Sequence, residues 1–288
     1  MKEIKHIILI PVYNDWKSLN KLLGDIDMTL AKNHLLQTEV LIINDFSSLS
    51  VDIKKKDLKF LKKINVINLN KNLGSQKSIA IGLNYLSERS ENFYITVMDG
   101  DGEDNPYEIE KMLKKSIEHQ DYVITSNRKK REESLLIVMF YKIHLFISFL
   151  FSFNWISFGN FTTFNSKNLT QILSNNSSWY AHSSSIIKNC KIKKTFARRE
   201  KRYFDKSKLG FMSLIEHSLR INSVFLKKIF ITSIVYSIVI FLFLPSSLNI
   251  FIIVLILTYN VILLLIKKKH FKKNIRDLNK FISKIKSV

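Results

Sequence analysis

A chain of 288 residues, 46% of them hydrophobic, suits one ordinary domain with an appendage, and its single cysteine, Cys190, excludes a disulfide framework or a cysteine-built metal centre within the chain. The formal net charge of +21 narrows the partners to nucleic acid, an anionic membrane surface or a phosphorylated substrate. Part of that excess belongs to a Lys-, Ile- and Asn-rich composition with only 7 Gly and 3 Pro, so the location of the charge says more than its sum.

From the N-terminus, residues 6–12 are a short apolar run that stops at Pro11-Val12-Tyr13-Asn14. The run is too short for a signal peptide and predicts a first β-strand. Residues 16–30 have helical spacing, with Leu19, Leu22, Leu23 and Ile26 on one face. Residues 39–44 are a second apolar run, ended by Asp45-Phe46-Ser47-Ser48, and residues 64–69 a third. Residues 75–86 read as a helix whose Ile79, Ile81, Leu83 and Leu86 are set among small residues. A fourth strand over 93–98 ends at Asp99-Gly100-Asp101; a helix over 107–119 and a fifth strand over 122–125 follow. Such alternation predicts an α/β fold with a mostly parallel sheet covered by helices on both faces. Open sheets of this kind bind ligands outside the carboxyl ends of their strands.

Residues 134–153 differ. Their apolar run is interrupted only by Lys142 and His144 and follows the basic cluster Arg128-Lys129-Lys130-Arg131. Its aromatic content favours an interfacial helix on anionic lipid over a buried core helix. Farther on, 229–244 and 248–266 are two apolar stretches separated by Pro245-Ser246-Ser247, long enough for a transmembrane helical hairpin. Lys227 and Lys228 precede the hairpin and Lys267-Lys268-Lys269 follows it, so both ends read as cytoplasmic. The expected organisation is a cytoplasmic domain over 1–222, a hairpin over 225–267 and a basic cytoplasmic tail over 268–288.

Two carboxylates one residue apart at a strand end, Asp99 and Asp101, with Glu103 and Asp104 beside them, are hard oxygen ligands suited to Mg²⁺ or Mn²⁺ together with substrate phosphates. Asn44-Asp45 ends another strand, and Asn72-Leu73-Gly74 opens a helix whose free N–H groups favour an anion. The seven histidines have no ligand spacing that predicts zinc, and no nucleic-acid-binding module is present.

Pro11-Val12-Tyr13-Asn14, the Asn44-Asp45-Phe46-Ser47 stretch, Asn72-Leu73-Gly74 with Ala80 and Gly82 behind it, and Asp99-Gly100-Asp101-Gly102-Glu103-Asp104-Asn105-Pro106, in that order, resemble glycosyltransferase family 2 with its GT-A fold. Within it, the chain looks like the polyprenyl-phosphate glycosyltransferases, from about residue 5 to the end of the hairpin. The resemblance implies a metal-dependent, inverting transferase that moves sugar from a nucleotide-sugar, most commonly a uridine one, to a polyprenyl phosphate at the cytoplasmic face of a membrane. It implies a donor-binding set of Pro11, Tyr13, Asn14, Asp45, Asn72, Gly74 and Asp99, with Pro11, Tyr13 and Asp45 on the nucleoside. Asp99 would contact ribose or the metal-bound diphosphate, and Asp101 and Glu103 would hold Mg²⁺ or Mn²⁺. Arg128 and Arg131 match the basic pair after the fifth strand. Arg199, Arg202, Ser207 and Lys208 match the segment that meets diphosphate and acceptor phosphate. Arg forks bind phosphate bidentately and offset charge on a leaving diphosphate. A homo-oligomer is left open, without a small-residue motif to argue for it.

Four positions depart from the family pattern. Asn44 stands for the usual Asp, Phe46 for a frequent Gly, and Asp205 for a usual Gly. Asn160, in Gly159-Asn160-Phe161, stands where subgroup members carry an Asp that is a candidate base. A sugar hydroxyl needs a general base, whereas a phosphate monoester is already largely dianionic at neutral pH. The missing base therefore leans toward a phosphate acceptor. The alternatives are a hydroxyl acceptor served by Glu103 or Asp104, and an inactive transferase-like scaffold.

Overall fold

The computed structural model describes residues 4–31, 36–61, 63–128, 135–197, 199–204, 210–270 and 275–288. In chain order the strands are β1 (Ile4–Val12), β2 (Leu36–Asn44), β3 (Lys63–Leu69), β4 (Tyr94–Val97), β5 (Tyr122–Arg128), β6 (Phe158–Asn165), β7 (Lys191–Ala197) and β8 (Ile282–Ser287). The α-helices are α1 (Trp16–Leu30), α2 (Ser75–Ser87), α3 (Ile109–Glu118), α4 (Leu135–Ser152), α5 (Leu169–Leu173), α6 (Ser177–Tyr180), α7 (His182–Asn189), α8 (Phe211–Ser223), α9 (Leu226–Phe243) and α10 (Ser246–Lys269). They form two compact units: Met1–Arg131, Phe158–Ser207 and Asn274–Val288 make the first, Glu132–Ser157 and Lys208–Lys273 the second.

The first unit is built on one eight-stranded sheet of order β7-β5-β6-β4-β1-β2-β3-β8 among the described residues. β1 pairs in parallel with β2 and β4, β2 with β3, and β5 with β7; β6 runs antiparallel to β4 and β5, and β8 antiparallel to β3. Residues of β1 and β2 pointing to either side are buried, Ile8, Leu9, Ile10, Leu41, Ile42 and Ile43 fully so. Continuous apolar runs are what a sheet covered on both faces requires, and each such side chain contributes about 1.5–3 kcal/mol on burial. α1 packs through Trp16, Leu19, Leu22, Leu23 and Ile26. α2 needs its small residues: a Cβ at Gly82 would lie 2.4 Å from Leu9 Cδ1 and 3.1 Å from Ile43 Cδ1. That glycine lets the helix come down onto the sheet.

The order of the strands fixes where a ligand fits. From β1 the chain winds outward through β2 and β3, then crosses back to β4 on the other side of β1. The crevice outside the carboxyl ends of β1 and β4 is therefore the topological switch point, the usual ligand site of an open α/β sheet.

Three strands went unread in the sequence. β6 was seen only as its Gly159-Asn160-Phe161 motif, β7 lies in a lysine-rich stretch, and residues 282–287, read as part of a basic tail, form β8 on the open edge of β3. Asn70 N–H donates to the Phe281 carbonyl at 2.9 Å, and Phe281 stacks on Trp179 with ring centroids 5.9 Å apart.

The second unit is helical. α9 and the Ser247–Lys269 part of α10 have mean hydropathies of 2.0 and 2.7 and are each long and apolar enough to cross a membrane. At 1.5 Å per residue they span roughly 27 and 35 Å. Polar bonds tie the unit internally: Ser148 Oγ donates to Asn222 Oδ1 at 2.7 Å, Tyr236 Oη to the Leu150 carbonyl at 2.7 Å, and Asn260 Nδ2 to Ser233 Oγ at 2.8 Å. The predicted helix over 134–153 is present as α4, with Leu145, Ser148 and Ser152 buried and Phe140, Phe146 and Phe149 exposed.

Candidate active site

Four polar turns follow β1, β2, β3 and β4, and their bonds join them into one cluster. After β1, Asn14 adopts φ 50°; its N–H donates to Ser47 Oγ at 2.9 Å and its Oδ1 accepts from the Leu49 N–H at 3.1 Å. After β2, the buried Asp45 carboxylate accepts the N–H groups of Leu73 and Gly74, one on each oxygen, both at 2.8 Å. Asp45 thus anchors the turn that opens α2, where Gly74 takes φ 86°. Burial raises its pKa, and the two backbone N–H groups offset only part of that rise. Pro11 is buried at the end of β1, whereas Tyr13 and Asn72 are exposed.

After β4 comes the acidic turn. Asp99 N–H donates to Asp104 Oδ2 at 3.0 Å, and Glu103 N–H to Asp101 Oδ1 at 3.1 Å. Gly102 takes φ 87°, and a Cβ there would lie 2.3 Å from the Tyr203 ring, so only glycine fits. The strand extension after β7 lies against this turn. Tyr203 N–H donates to the Asp101 carbonyl and Glu200 N–H to the Glu103 carbonyl, both at 3.0 Å. Two arginines arrive by this backbone pairing. Arg202 Nη1 donates to Asp101 Oδ2 at 2.9 Å while its Nη2 donates to Asp15, and Arg199 pairs with Glu103. Tyr203 Oη donates to Asp25 Oδ2 at 2.6 Å, which fixes the segment against α1.

Asp101 is the electrostatic centre. Burial, and then the Asp99 charge, push its pKa up to about 6, against the opposing effect of Arg202 and Arg199. A carboxylate so placed gains from a cation. A small pocket beside the turn is lined by Glu103, Asp104, Ser126, Gly159 and Arg199, among others.

Among the expected site residues, the structure brings Asp99, Asp101, Glu103, Arg199 and Arg202 together, and links Asn14, Asp45 and Gly74 through one loop cluster. Arg128 is the last residue of β5. Arg131, Ser207 and Lys208, with the departure Asp205, lie outside the described residues. The sequence reading missed Asp15, whose one signal is its place at the N-cap of α1; there it makes no capping bond and meets Arg202 instead. Tyr203 and Gln76 were missed as well.

The departures have local reasons. The Asn44 amide donates to Asn68 Oδ1 at 2.8 Å and accepts from the Ser47 N–H at 3.0 Å, using a donor that a carboxylate lacks. Phe46 sits at φ 60°, so the backbone keeps the left-handed conformation that glycine favours.

Comparison with known proteins agrees with this geometry. The sequence profile described as Glycosyl transferase family 2 matches residues 7–188. The chain belongs to this family. Among curated relatives, the uncharacterized protein MJ0544 of Methanocaldococcus jannaschii is 30% identical over 111 residues, which are 38% of this chain and 45% of that protein. The chain thus matches less than half the length of that relative. Among solved structures, mannosyl-3-phosphoglycerate synthase from Rubrobacter xylanophilus superposes with a TM-score of 0.54 at 12% identity, over 77% of this chain and 72% of the other. Glucosyl-3-phosphoglycerate synthase from Mycobacterium tuberculosis, in complex with Mn²⁺, uridine diphosphate and glucosyl-3-phosphoglycerate, gives 0.51 at 8% identity, over 78% and 80%. At these identities the likeness is one of fold alone, and it agrees with the family match.

Proposed function

We propose that this family 2 enzyme is a membrane-anchored, inverting glycosyltransferase that moves a sugar from a uridine-diphosphate donor to a polyprenyl phosphate. The observation that carries it is the acidic turn after β4 with Arg199 and Arg202 laid against it, in a chain that also holds two helices of membrane-spanning length.

Asp99 and Asp101 are hard-oxygen donors suited to Mg²⁺ or Mn²⁺, and burial with the neighbouring Asp99 charge raises the Asp101 pKa despite its pairing with Arg202. Among the described residues no three His, Cys, Asp or Glu are grouped so as to hold a metal by themselves, so such an ion would need ligands from the substrate as well. The fit is to an ion shared between protein and substrate, held by Asp101 with Asp99 and Glu103 at hand. When bound, the ion supplies Lewis-acid stabilisation of the departing diphosphate. Tyr13, Asn14 and the Asp45-braced Leu73–Gly74 turn form the nucleoside side of the crevice. Arg199 and Arg202, with Arg128, Arg131 and Lys208, supply cations for diphosphate and acceptor phosphate, and Ser207 a hydroxyl donor. An acceptor phosphate oxygen attacks the anomeric carbon, the bond to the donor diphosphate breaks, and its electron pair leaves with the diphosphate. A dianionic phosphate needs orientation and charge neutralisation rather than a base.

The membrane reading has two supports. Lysines flank both ends of the α9–α10 pair. The chain also leaves the sheet after β7 and re-enters it at β8, which fits an even number of crossings with the catalytic unit and residues 282–287 on the same, cytoplasmic side.

The test is transfer of label from UDP-sugars to undecaprenyl phosphate by the detergent-purified protein with Mn²⁺, read by butanol extraction. Organic label abolished by a chelator is expected; label confined to water-soluble or polysaccharide product would refute the lipid-phosphate acceptor. One observation favours a second reading: Glu103 and Asp104 line the pocket beside the turn, where a carboxylate base for a sugar hydroxyl would stand. Transfer to a lipid-linked glycan but not to polyprenyl phosphate, lost in Asp104→Asn, would select it.

A further inference from the structure

Asn160 occupies the position where similar chains carry a candidate base, and its surroundings give it a different task. Asn160 Nδ2 donates to Asp99 Oδ1 at 2.8 Å. Its Oδ1 accepts from Gln76 Nε2 at 2.9 Å, and Gln76 Oε1 accepts the backbone N–H of His182 at 2.8 Å. Gln76 and His182 are buried, and a second path runs alongside: Thr162 Oγ1 meets His182 Nε2 at 2.9 Å and donates to the Asn160 carbonyl at 3.1 Å. Burial holds the His182 ring neutral, with its pKa down to about 3, so no charge enters the chain of bonds before Asp99.

We propose that Asn160 is a positioning residue: a one-way amide relay from the His182 backbone N–H through Gln76 and Asn160 aims the Asp99 carboxylate at the donor, and the relay requires Asn, not Asp, at position 160. The claim rests on the reading of Asp99 as a donor contact. Its direction is set by its two ends. A backbone N–H only donates and an ionised carboxylate only accepts. Gln76 must therefore turn its oxygen to His182 and its nitrogen to Asn160, which must turn its oxygen to Gln76 and its nitrogen to Asp99. An Asp at 160 would still accept from Gln76 but would set its other oxygen against Asp99 Oδ1, replacing an amide donor by a second carboxylate, which repels the first unless it takes up a proton. Asp101 and Asp104 add negative charge beside this contact, and Arg199, which also feels the Asp99 charge, is already paired with Glu103.

The relay is tested with the full-length chain in detergent by two readouts, melting temperature without ligand and calorimetric affinity for UDP-glucose with Mn²⁺. Asn160→Asp is expected to lower the melting temperature and to weaken donor binding roughly 10–100-fold, the range for groups that orient a metal or substrate ligand. Gln76→Glu, two hydrogen bonds from Asp99, weakens binding in the same way, because Asn160 must then turn its oxygen toward Asp99. The exchange Asp99→Asn with Asn160→Asp rebuilds the bond with donor and acceptor exchanged: position 99 now donates, and position 160 accepts from both position 99 and Gln76. It recovers the melting temperature lost in Asn160→Asp while leaving donor binding impaired, a non-additivity that size or packing alone would not produce. Additive melting shifts in that cycle, or unchanged donor affinity in both Asn160→Asp and Gln76→Glu, overturn the relay. Where Asn160→Asp does not fold alone, recovery of a folded protein by the exchange is the expected result and its failure the contrary one. A wild type that binds no UDP-glucose refutes that donor assignment, and the melting cycle then decides the relay by itself.

Discussion

The sheet unit and the helical unit use the same apolar residue types in opposite ways. In β1 and β2, Leu9, Leu41 and Ile42 are wholly hidden, and polar groups gather at the strand ends. In α9 and α10 the polar groups turn inward, as with Ser233 and Asn260, while Phe241, Leu242, Ile250 and Leu255 face outward, each more than half exposed. A helix pair that is apolar on its outside and bonded on its inside has the pattern of membrane-spanning helices, and both are long and apolar enough to cross a bilayer. The proposed function assigns the two units different jobs, chemistry to the sheet unit and attachment to the helical unit.

The sharpest way to break that division is Asp101→Asn. Transfer is expected to fall about 10²–10³-fold, with the protein still in the membrane fraction after carbonate extraction. Release from the membrane would show the two jobs to be coupled. Next in size is a matched pair. Leu9→Ala should cost about 2–5 kcal/mol in thermal or denaturant unfolding, whereas Leu255→Ala, facing outward, should stay within about 0.5 kcal/mol in the same detergent. Equal costs would place α10 in an ordinary core.

A smaller effect concerns pH. The folded pKa of Asp101 lies at about 6, above its ordinary value, so below pH 6 an incoming cation must displace a proton. Mn²⁺ affinity is expected to fall about tenfold per pH unit there, measured by calorimetry with the donor diphosphate present. The sign reverses for the metal-free protein. The stability that this raised pKa contributes is present in acid and lost as pH rises through about 6, so the metal-free melting temperature should drop over that window while metal binding strengthens. Smallest is Phe46→Gly. It relieves a left-handed backbone costing about 1–2 kcal/mol, offset by the extra freedom of glycine in the unfolded chain, for a net gain below about 1 kcal/mol in melting experiments.

Most of the sheet unit was legible because its first five strands are apolar runs ended by polar turns, a pattern that burial on both faces imposes. β6 was not, because its interior is polar: Thr162, Thr163 and Asn165 are fully buried in a strand with no continuous apolar run. β7 was not read at all and β8 read as part of a basic tail, because lysine is what protects an edge strand from pairing with another chain. At the site, residue types and spacing exposed the carboxylates and arginines. They did not expose Asp15 or Gln76, which act through contacts made only once distant segments meet.

The pairing of β8 with β3 also orders events during synthesis. The edge of β3 stays open until residues some two hundred positions downstream have emerged, a delay on the order of 10–40 s at ordinary translation rates. In that interval α9 and α10 are made, so the sheet is finished only after the whole helical pair has been synthesised.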